Sequence, residues 1–348
     1  MKTASCTIAL DSTYSVGRNL SGVGVYSREI ANELALAHPE AKFLFCYRPH
    51  RFLRSFEIAQ PGNAGRRLLW NGSPRSLDLF HGLNQRLDRR YRRAVSTFHD
   101  LFVLTSDYST PEFRARFAEQ ARLAAERSDL IVAVSEFTAS QVCDLLKVER
   151  SRIRVVPHGV RIPQEVPTLA REPMILFVGA IQKRKNVQRL VSAFESTPGA
   201  WKLVLAGSMG YGAAEILQQV ERSSRKSDMT IAGYVDDQEL ERLYGRASIF
   251  AFPSLDEGFG IPVLEAMARG VPVLSSNCSA LKEVAGEAAL LVDPKNTEEI
   301  AAGLNRLIKE EDFRKELSRK GLKHVPGYTW NAAASRTWEV YRELLAAR

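Results

Sequence analysis

Short runs of β-branched and aromatic residues alternate along the chain with longer stretches whose apolar positions recur every three or four residues. The first run, TIAL at 7–10, leads through a glycine-containing loop into a segment where Val23, Tyr26, Ile30, Leu34 and Ala37 share one helical face. FLFCY at 43–47, AVSTF at 94–98 and LIVAVS at 130–135 continue the strand series. Thr110 followed by Pro111 supplies an N-cap and a first-turn proline for a helix carrying Phe113, Phe117, Ala121 and Ala124. Residues 157–173 hold four prolines and little periodicity, which predicts a linker. A second alternating series follows, with strands ILFVGA, WKLVLAG, MTIAGYV, SIFAFPS and VPVLSS, and helical segments near 297–322 and 329–347 close the chain. The pattern predicts an α/β protein of two doubly wound, Rossmann-like domains, 1–165 and 166–328, and a C-terminal helix over 329–348. Two such domains facing across a cleft place ligands at the carboxyl ends of their strands.

Composition narrows the class. With 348 residues and 45% hydrophobic content the chain can bury a large core. No apolar run approaches the roughly 20 residues needed to cross a bilayer. Asp11 interrupts the N-terminal stretch before it resembles a secretion signal, so a cytoplasmic protein is expected. Cys6, Cys46, Cys143 and Cys278 are scattered, form no Cys-x-x-Cys pair, and are expected to be reduced and mostly buried. The formal charge of +8 is uneven, with 24 Lys and Arg against 17 Asp and Glu in residues 1–170 and 24 against 23 in the rest. Such a field in the N-terminal half suits phosphates, nucleic acid or an acidic membrane surface.

Several clusters could carry chemistry. DEGFGIPVLEAMARG, 256–270, places Glu257 at a strand end and Glu265 in a helix expected to open at about Pro262. Free amides after Gly258 and Gly260, at a positive helix end, suit an anion or a hydroxyl. A plainer reading pairs Glu265 with Arg269, four residues on, in a helix-surface ion pair. In FVGAIQKRKN, 177–186, a strand ends at Gly179 and Lys183, Arg184 and Lys185 crowd the next loop, either to neutralise a diphosphate or as a solvated charge run. Gly207 and the turn at Gly233 and Tyr234 end two more strands at the same rim. SGVGVYS, 21–27, has Ser27 where a dinucleotide fingerprint needs its third glycine, which counts against a nicotinamide dehydrogenase.

His99 and Asp100 in TFHDL end a strand, the usual place for catalytic side chains, although a lone histidine is more often structural. His81 and Asn84 in HGLN stand at another strand-to-loop junction. RLDRRYRR, 86–93, sets five arginines around Tyr91, as a solvated loop or as a contact for acidic lipid or a diphosphate-bearing acceptor. A non-catalytic membrane or nucleic-acid adaptor would use that cluster and leave the two glutamates unexplained.

These segments, with VAVSEFTA, VVPHGV and the run 232–294, resemble the family-4 class of retaining glycosyltransferases, which has the GT-B fold. The resemblance implies an acceptor-binding N-terminal domain, a nucleotide-sugar-binding C-terminal domain and a last helix packing back on the first. It implies that Glu265 binds ribose hydroxyls, that Glu257 with Gly258, Phe259 and Gly260 holds the donor sugar, and that Arg184 and Lys185 clamp the diphosphate. Gly22 or Gly24 approaches the diphosphate, Gly179, Gly233 and Tyr234 line the nucleotide, and His99 orients the sugar. A nucleoside diphosphate sugar is then the co-substrate, with no cofactor, and a saccharide or lipid-linked saccharide the acceptor; nucleic acid is not expected.

Retention by front-face attack, with no metal, is likewise implied, and the lack of any Asp-x-Asp agrees with a metal-independent reaction. Ala180 stands where many relatives carry arginine, so Lys183 or Arg184 must supply the second cation. The combination of RKN, EGFG and HDL is most similar to mannosyltransferases of bacterial surface polysaccharides, pointing to GDP-mannose, with UDP- or dTDP-sugars as the alternative. The arginine cluster would allow peripheral contact with the cytoplasmic face of the inner membrane.

Overall fold

The computed structural model describes residues 6–70, 77–164 and 170–346. Thirteen strands are described: β1 (Thr7–Asp11), β2 (Lys42–Tyr47), β3 (Ala64–Leu68), β4 (Leu79–Gly82), β5 (Ala94–Phe98), β6 (Leu130–Ala133), β7 (Ile153–Val155), β8 (Glu172–Val178), β9 (Lys202–Ala206), β10 (Met229–Gly233), β11 (Ala247–Phe252), β12 (Val273–Ser276) and β13 (Ala289–Val292). The chain forms two compact units, one of residues up to 105, 110–159 and 329 onward, the other of 106–109 and 160–328. The division falls at 159/160; the boundary expected at 165 lies outside the described residues.

In the first unit the sheet order is β3-β2-β1-β4-β5-β6-β7, all parallel. Ile8 on β1 stands between Phe43 of β2 and Leu79 of β4. On one face Tyr26, Ile30 and Leu34 of the helix Gly22–Ala37 join Phe43, Phe45 and Val95, and Trp330, Val340 and Tyr341 of the helix Trp330–Ala346 complete the cluster. Burying each of those large apolar side chains contributes about 2 kcal/mol. Ala37 turns out exposed, while Ser27, Ala31 and Ala35 are buried, because the helix meets both the sheet and the C-terminal helix.

On the opposite face a loop replaces a helix between β4 and β5. Leu87 is buried there, and Tyr91 stacks on Phe80 with ring centroids 3.9 Å apart. The arginine cluster is therefore partly an anchor: Arg93 donates to the Leu344 carbonyl at 2.7 Å, whereas Arg90 and Arg92 are exposed.

The second unit has the order β10-β9-β8-β11-β12-β13, again parallel. In each unit the strand order reverses beside the first strand, between β1 and β4 or between β8 and β11, and that reversal is where open α/β sheets bind ligands. The helical stretch expected over 297–322 is two helices, Thr297–Lys309 and Glu311–His324, broken where Glu310 takes φ −100° and ψ 87°. Of the four cysteines, all free, only Cys46 is buried; the others are half-buried. No helix among the described residues is long and apolar enough to cross a membrane.

Candidate active site

The second unit gathers its charged candidates at the β8/β11 reversal. Gly179 leaves β8 at φ 154° and Gly207 leaves β9 at φ 153°, and a Cβ on Gly207 would lie 1.9 Å from the Gly179 carbonyl oxygen. Only glycine permits that backbone contact. The chain then forms a 3₁₀ turn over Lys183–Lys185, ended by Asn186 at φ 59°. Asn186 is buried, and its amide donates to the carbonyls of Pro253 at 2.9 Å and Pro294 at 2.6 Å. The Arg184 carbonyl accepts from the Leu255 amide at 2.9 Å. These bonds fix the basic turn against the loop that follows β11.

That loop carries Glu257, 8% exposed. Lys185 Nζ lies 2.5 Å from Glu257 Oε1, Arg184 lies 3.0 Å from Oε2, and the Ser254 hydroxyl donates to Oε1 at 2.6 Å. Burial pushes the Glu257 carboxyl up, but Arg184, Lys185 and Ser254 together hold it down at about 2. It is a carboxylate at every ordinary pH. The Glu257 amide donates to Ser279 Oγ at 3.2 Å, and Ser279 itself sits at φ 52°. Lys183 turns elsewhere, to Glu215 at 3.2 Å, so Arg184 and Lys185 are the two cations at this carboxylate.

Beyond Glu257, Gly258, Phe259 and Gly260 are buried, and a Cβ on Gly260, at φ 120°, would meet Leu281 at 2.6 Å. The helix starts at Ile261, one residue before the expected Pro262, which makes Glu265 its fifth residue. Its side chain does not pair with Arg269 as the plainer reading had it. Arg269 forks onto Glu241, with Nε to Oε2 at 2.7 Å, and reaches only the backbone carbonyl of Glu265. The Glu265 carboxylate accepts instead from the Tyr244 hydroxyl at 3.1 Å, and burial pushes its pKa up. Tyr234, 45% exposed, follows Gly233 at the end of β10.

The remaining candidates belong to the first unit. Gly22 is exposed at the start of its helix, while Gly24 is buried and its amide donates to Ser21 Oγ at 3.3 Å. Of the two, Gly22 presents accessible backbone. His99 follows β5, is buried, donates from Nε2 to the Leu83 carbonyl at 2.9 Å, and lies with Nδ1 3.3 Å from His158 Nε2. Burial lowers its pKa to about 4, so the ring is neutral. Both ring nitrogens are engaged within the unit. His81 is part of the core: it bonds Tyr341 at 2.6 Å and Thr97 at 2.8 Å, and Thr97 bonds Tyr26 at 2.9 Å.

Ser254, Ser279, Asn186 and Tyr244 escaped the motif reading. Ser254 and Asn186 carried a weak signal, as polar residues ending a strand and closing a basic run; Ser279 and Tyr244 carried none.

Comparison with known proteins bears on the class of the chain and on its fold. Residues 161–324 match the family model described as glycosyl transferases group 1, and residues 73–162 match that described as Glycosyltransferase Family 4. An O-antigen chain mannosyltransferase B from Escherichia coli is 29% identical over 372 residues, covering 93% of this chain and 97% of that protein. A serotype-specific mannosyltransferase, WbdA, also from Escherichia coli, is 27% identical over 73% of this chain, which spans 34% of its length. Among solved structures, a sucrose-phosphate synthase from Thermosynechococcus elongatus superposes with a TM-score of 0.81 over 99% of this chain and 100% of its own, at 21% identity. WaaG, a glycosyltransferase involved in lipopolysaccharide biosynthesis, gives 0.74 over 97% of this chain and 99% of its own, at 14% identity.

Two parallel-sheet Rossmann-like units with these two matched domains define a glycosyltransferase of the GT-B class. The chain carries both a Glycosyltransferase Family 4 domain and a glycosyl transferases group 1 domain.

Proposed function

We propose that this glycosyltransferase moves mannose from GDP-mannose, with retention of anomeric configuration, to a saccharide or lipid-linked saccharide in surface polysaccharide synthesis. The observation that carries the reading is the Glu257 carboxylate held between Lys185 at 2.5 Å and Arg184 at 3.0 Å. Two cations around one carboxylate leave one net positive charge at a sheet reversal, which suits a diphosphate bridging the cations and a sugar hydroxyl donating to Glu257. Glu265, farther along the helix, would accept from the ribose hydroxyls. The mannose assignment rests on the Escherichia coli O-antigen chain mannosyltransferase, which matches nearly the full length of this chain.

Breaking the bond between the sugar and its phosphate oxygen concentrates negative charge on the diphosphate and positive charge on the ring. Arg184 and Lys185 stabilise the first, and removing one such donor typically costs about 10²-fold or more in rate. The acceptor oxygen bonds the anomeric carbon and its proton passes to the departing diphosphate oxygen. Supporting that route, Glu257 at about 2 is too weak a base at neutral pH. His99, at about 4, also lies below the range a general base needs.

A panel of sugar nucleotides tests the reading, by thermal stabilisation and by NMR of the product. GDP-mannose is expected to stabilise the chain and give a product of unchanged anomeric configuration. Stabilisation and transfer confined to a UDP- or dTDP-sugar would overturn the donor, and an inverted product would overturn the mechanism.

A further inference from the structure

Outside the site, one stretch of the first unit combines exposed apolar bulk with positive charge. Between the end of β2 and the exit from β3, residues 48–70 hold Arg48, Arg51, Arg54, Arg66 and Arg67 and a single acid, Glu57. The 3₁₀ helix Leu53–Glu57 turns Leu53 and Phe56 outward, 80% and 61% exposed. Residues three apart in such a helix eclipse, so both lie on one face. Leu68 on β3 is 41% exposed, and Trp70, two residues beyond it, 63%.

The elements are locked in place although their tips are exposed. Arg66 crosses from β3 to donate to the Ser55 carbonyl at 3.0 Å and to the Ile58 carbonyl, and its guanidinium covers the Phe56 ring at 5.0 Å. Phe52 packs inward on the core and edge-on to Phe56 at 5.5 Å. Arg54 and Arg67 are exposed on the same two elements. β3 is the edge strand of its sheet, so side chains above and below it reach the same approaching surface.

We infer that this edge is a docking surface for an anionic lipid bilayer. Leucine, phenylalanine and tryptophan tips enter the boundary between headgroups and acyl chains, and arginines beside them meet lipid phosphates. Apolar insertion and cationic attraction act together, as stable interfacial binding requires. The arginine run 86–93 offers only the second, because Leu87 is buried and Tyr91 stacks on Phe80. A protein partner is less suited, since the patch is almost wholly of one sign with little acid to set a register.

Flotation with phosphatidylcholine vesicles, with and without phosphatidylglycerol, tests the surface in the full chain. The wild type is expected to float with the phosphatidylglycerol vesicles and much less with phosphatidylcholine alone. Leu53→Ser/Phe56→Ser/Trp70→Ser should lower that partition by roughly tenfold or more, and Arg54→Ser/Arg67→Ser by a similar factor. Arg90→Ser/Arg92→Ser should leave it unchanged. Both patch variants should keep the wild-type thermal transition and transfer to a water-soluble acceptor, because the side chains lie outside the site. Absence of wild-type binding, wild-type partition in both patch variants, or loss of partition in the 90/92 variant would overturn the assignment. So would a self-association of the chain that the patch variants abolish, since the edge would then join two copies.

Discussion

Glu257→Gln tests the charge arrangement of the site directly. The substitution keeps the shape and the bond to Ser254 but removes the charge that Arg184 and Lys185 surround at 3.0 Å and 2.5 Å. The wild-type carboxyl is held at about 2 against an ordinary 4.5. At about 1.4 kcal/mol per tenfold change in proton affinity, that corresponds to ~3 kcal/mol of folding stability. Removing the charge that both buried cations share costs a similar amount, about 3–5 kcal/mol. At about 2–4 °C per kcal/mol for a unit of this size, the transition should fall by roughly 6–12 °C.

The pH dependence follows with a definite sign. A carboxyl whose pKa is lower in the folded chain contributes fully above its unfolded value and loses that contribution as pH falls from 4.5 towards about 2. The gap between wild type and variant should be constant through neutral pH and close in acid. Hydrogen exchange at amides of β8 and β11 reads the second unit alone. GDP should also stabilise the variant more than the wild type, because its diphosphate meets two cations that Glu257 no longer neutralises in part, while transfer falls by about 10²-fold or more. Unchanged exchange at neutral pH, a gap that widens on acidification, or weaker stabilisation by GDP would each refute the reasoning.

Asn186→Asp removes the donor that binds the carbonyls of Pro253 and Pro294 and should loosen the basic turn, weakening GDP binding in calorimetry by about tenfold for each ~1.4 kcal/mol of lost bonding. Asn186→Gly, which keeps the left-handed backbone without those bonds, should not rescue it. Glu265 has a raised pKa, so GDP affinity should decline on acidification from above the ordinary carboxyl value, and Glu265→Gln should bind GDP more weakly at neutral pH and lose that decline. In the first unit, burial holds His81 at about 3 and His99 at about 4. Groups kept neutral in this way support folding above the unfolded histidine value and cease to as pH falls through it, at about 2 kcal/mol each by about pH 5. First-unit amides should therefore lose exchange protection before those of the second unit; uniform loss would contradict this.

How far the molecule was legible depended on how local its causes were. AVSTF became β5 over the residues read from its pattern, and Thr110 accepts the Phe113 amide at 3.3 Å as its N-cap position implied. AGRRL gave no such signal, because an edge strand with half-buried and exposed positions needs no apolar alternation, and IRV and ALLV were too short to stand out. Within the site, the residue types were visible and their pairings were not. Glu265 and Arg269 have helix-pair spacing, yet Arg269 takes Glu241, 28 residues away, and Glu265 takes Tyr244, 21 away. Helical spacing offers a contact, but which one forms is decided by elements that only the fold brings near.

The backbone supplies an independent argument that the second-unit loops are built for a ligand. Among the described residues, three that are not glycine have left-handed backbone: Lys147, Asn186 and Ser279. Lys147 caps a helix, a common place for that conformation. Asn186 ends the turn carrying Arg184 and Lys185, and Ser279 accepts the amide of the carboxylate they surround. Each such residue costs of order 1–3 kcal/mol and persists only where its surroundings over-determine it. Asn186 also starts the helix Val187–Glu195 without capping it through its side chain, forgoing about 1 kcal/mol, and directs its amide to two proline carbonyls instead. A turn optimised for stability alone would cap that helix and relax both residues. Strain on both loops that flank Glu257 fits a site whose charges are held in advance for a ligand, since reorganising them during reaction would raise the barrier they are there to lower.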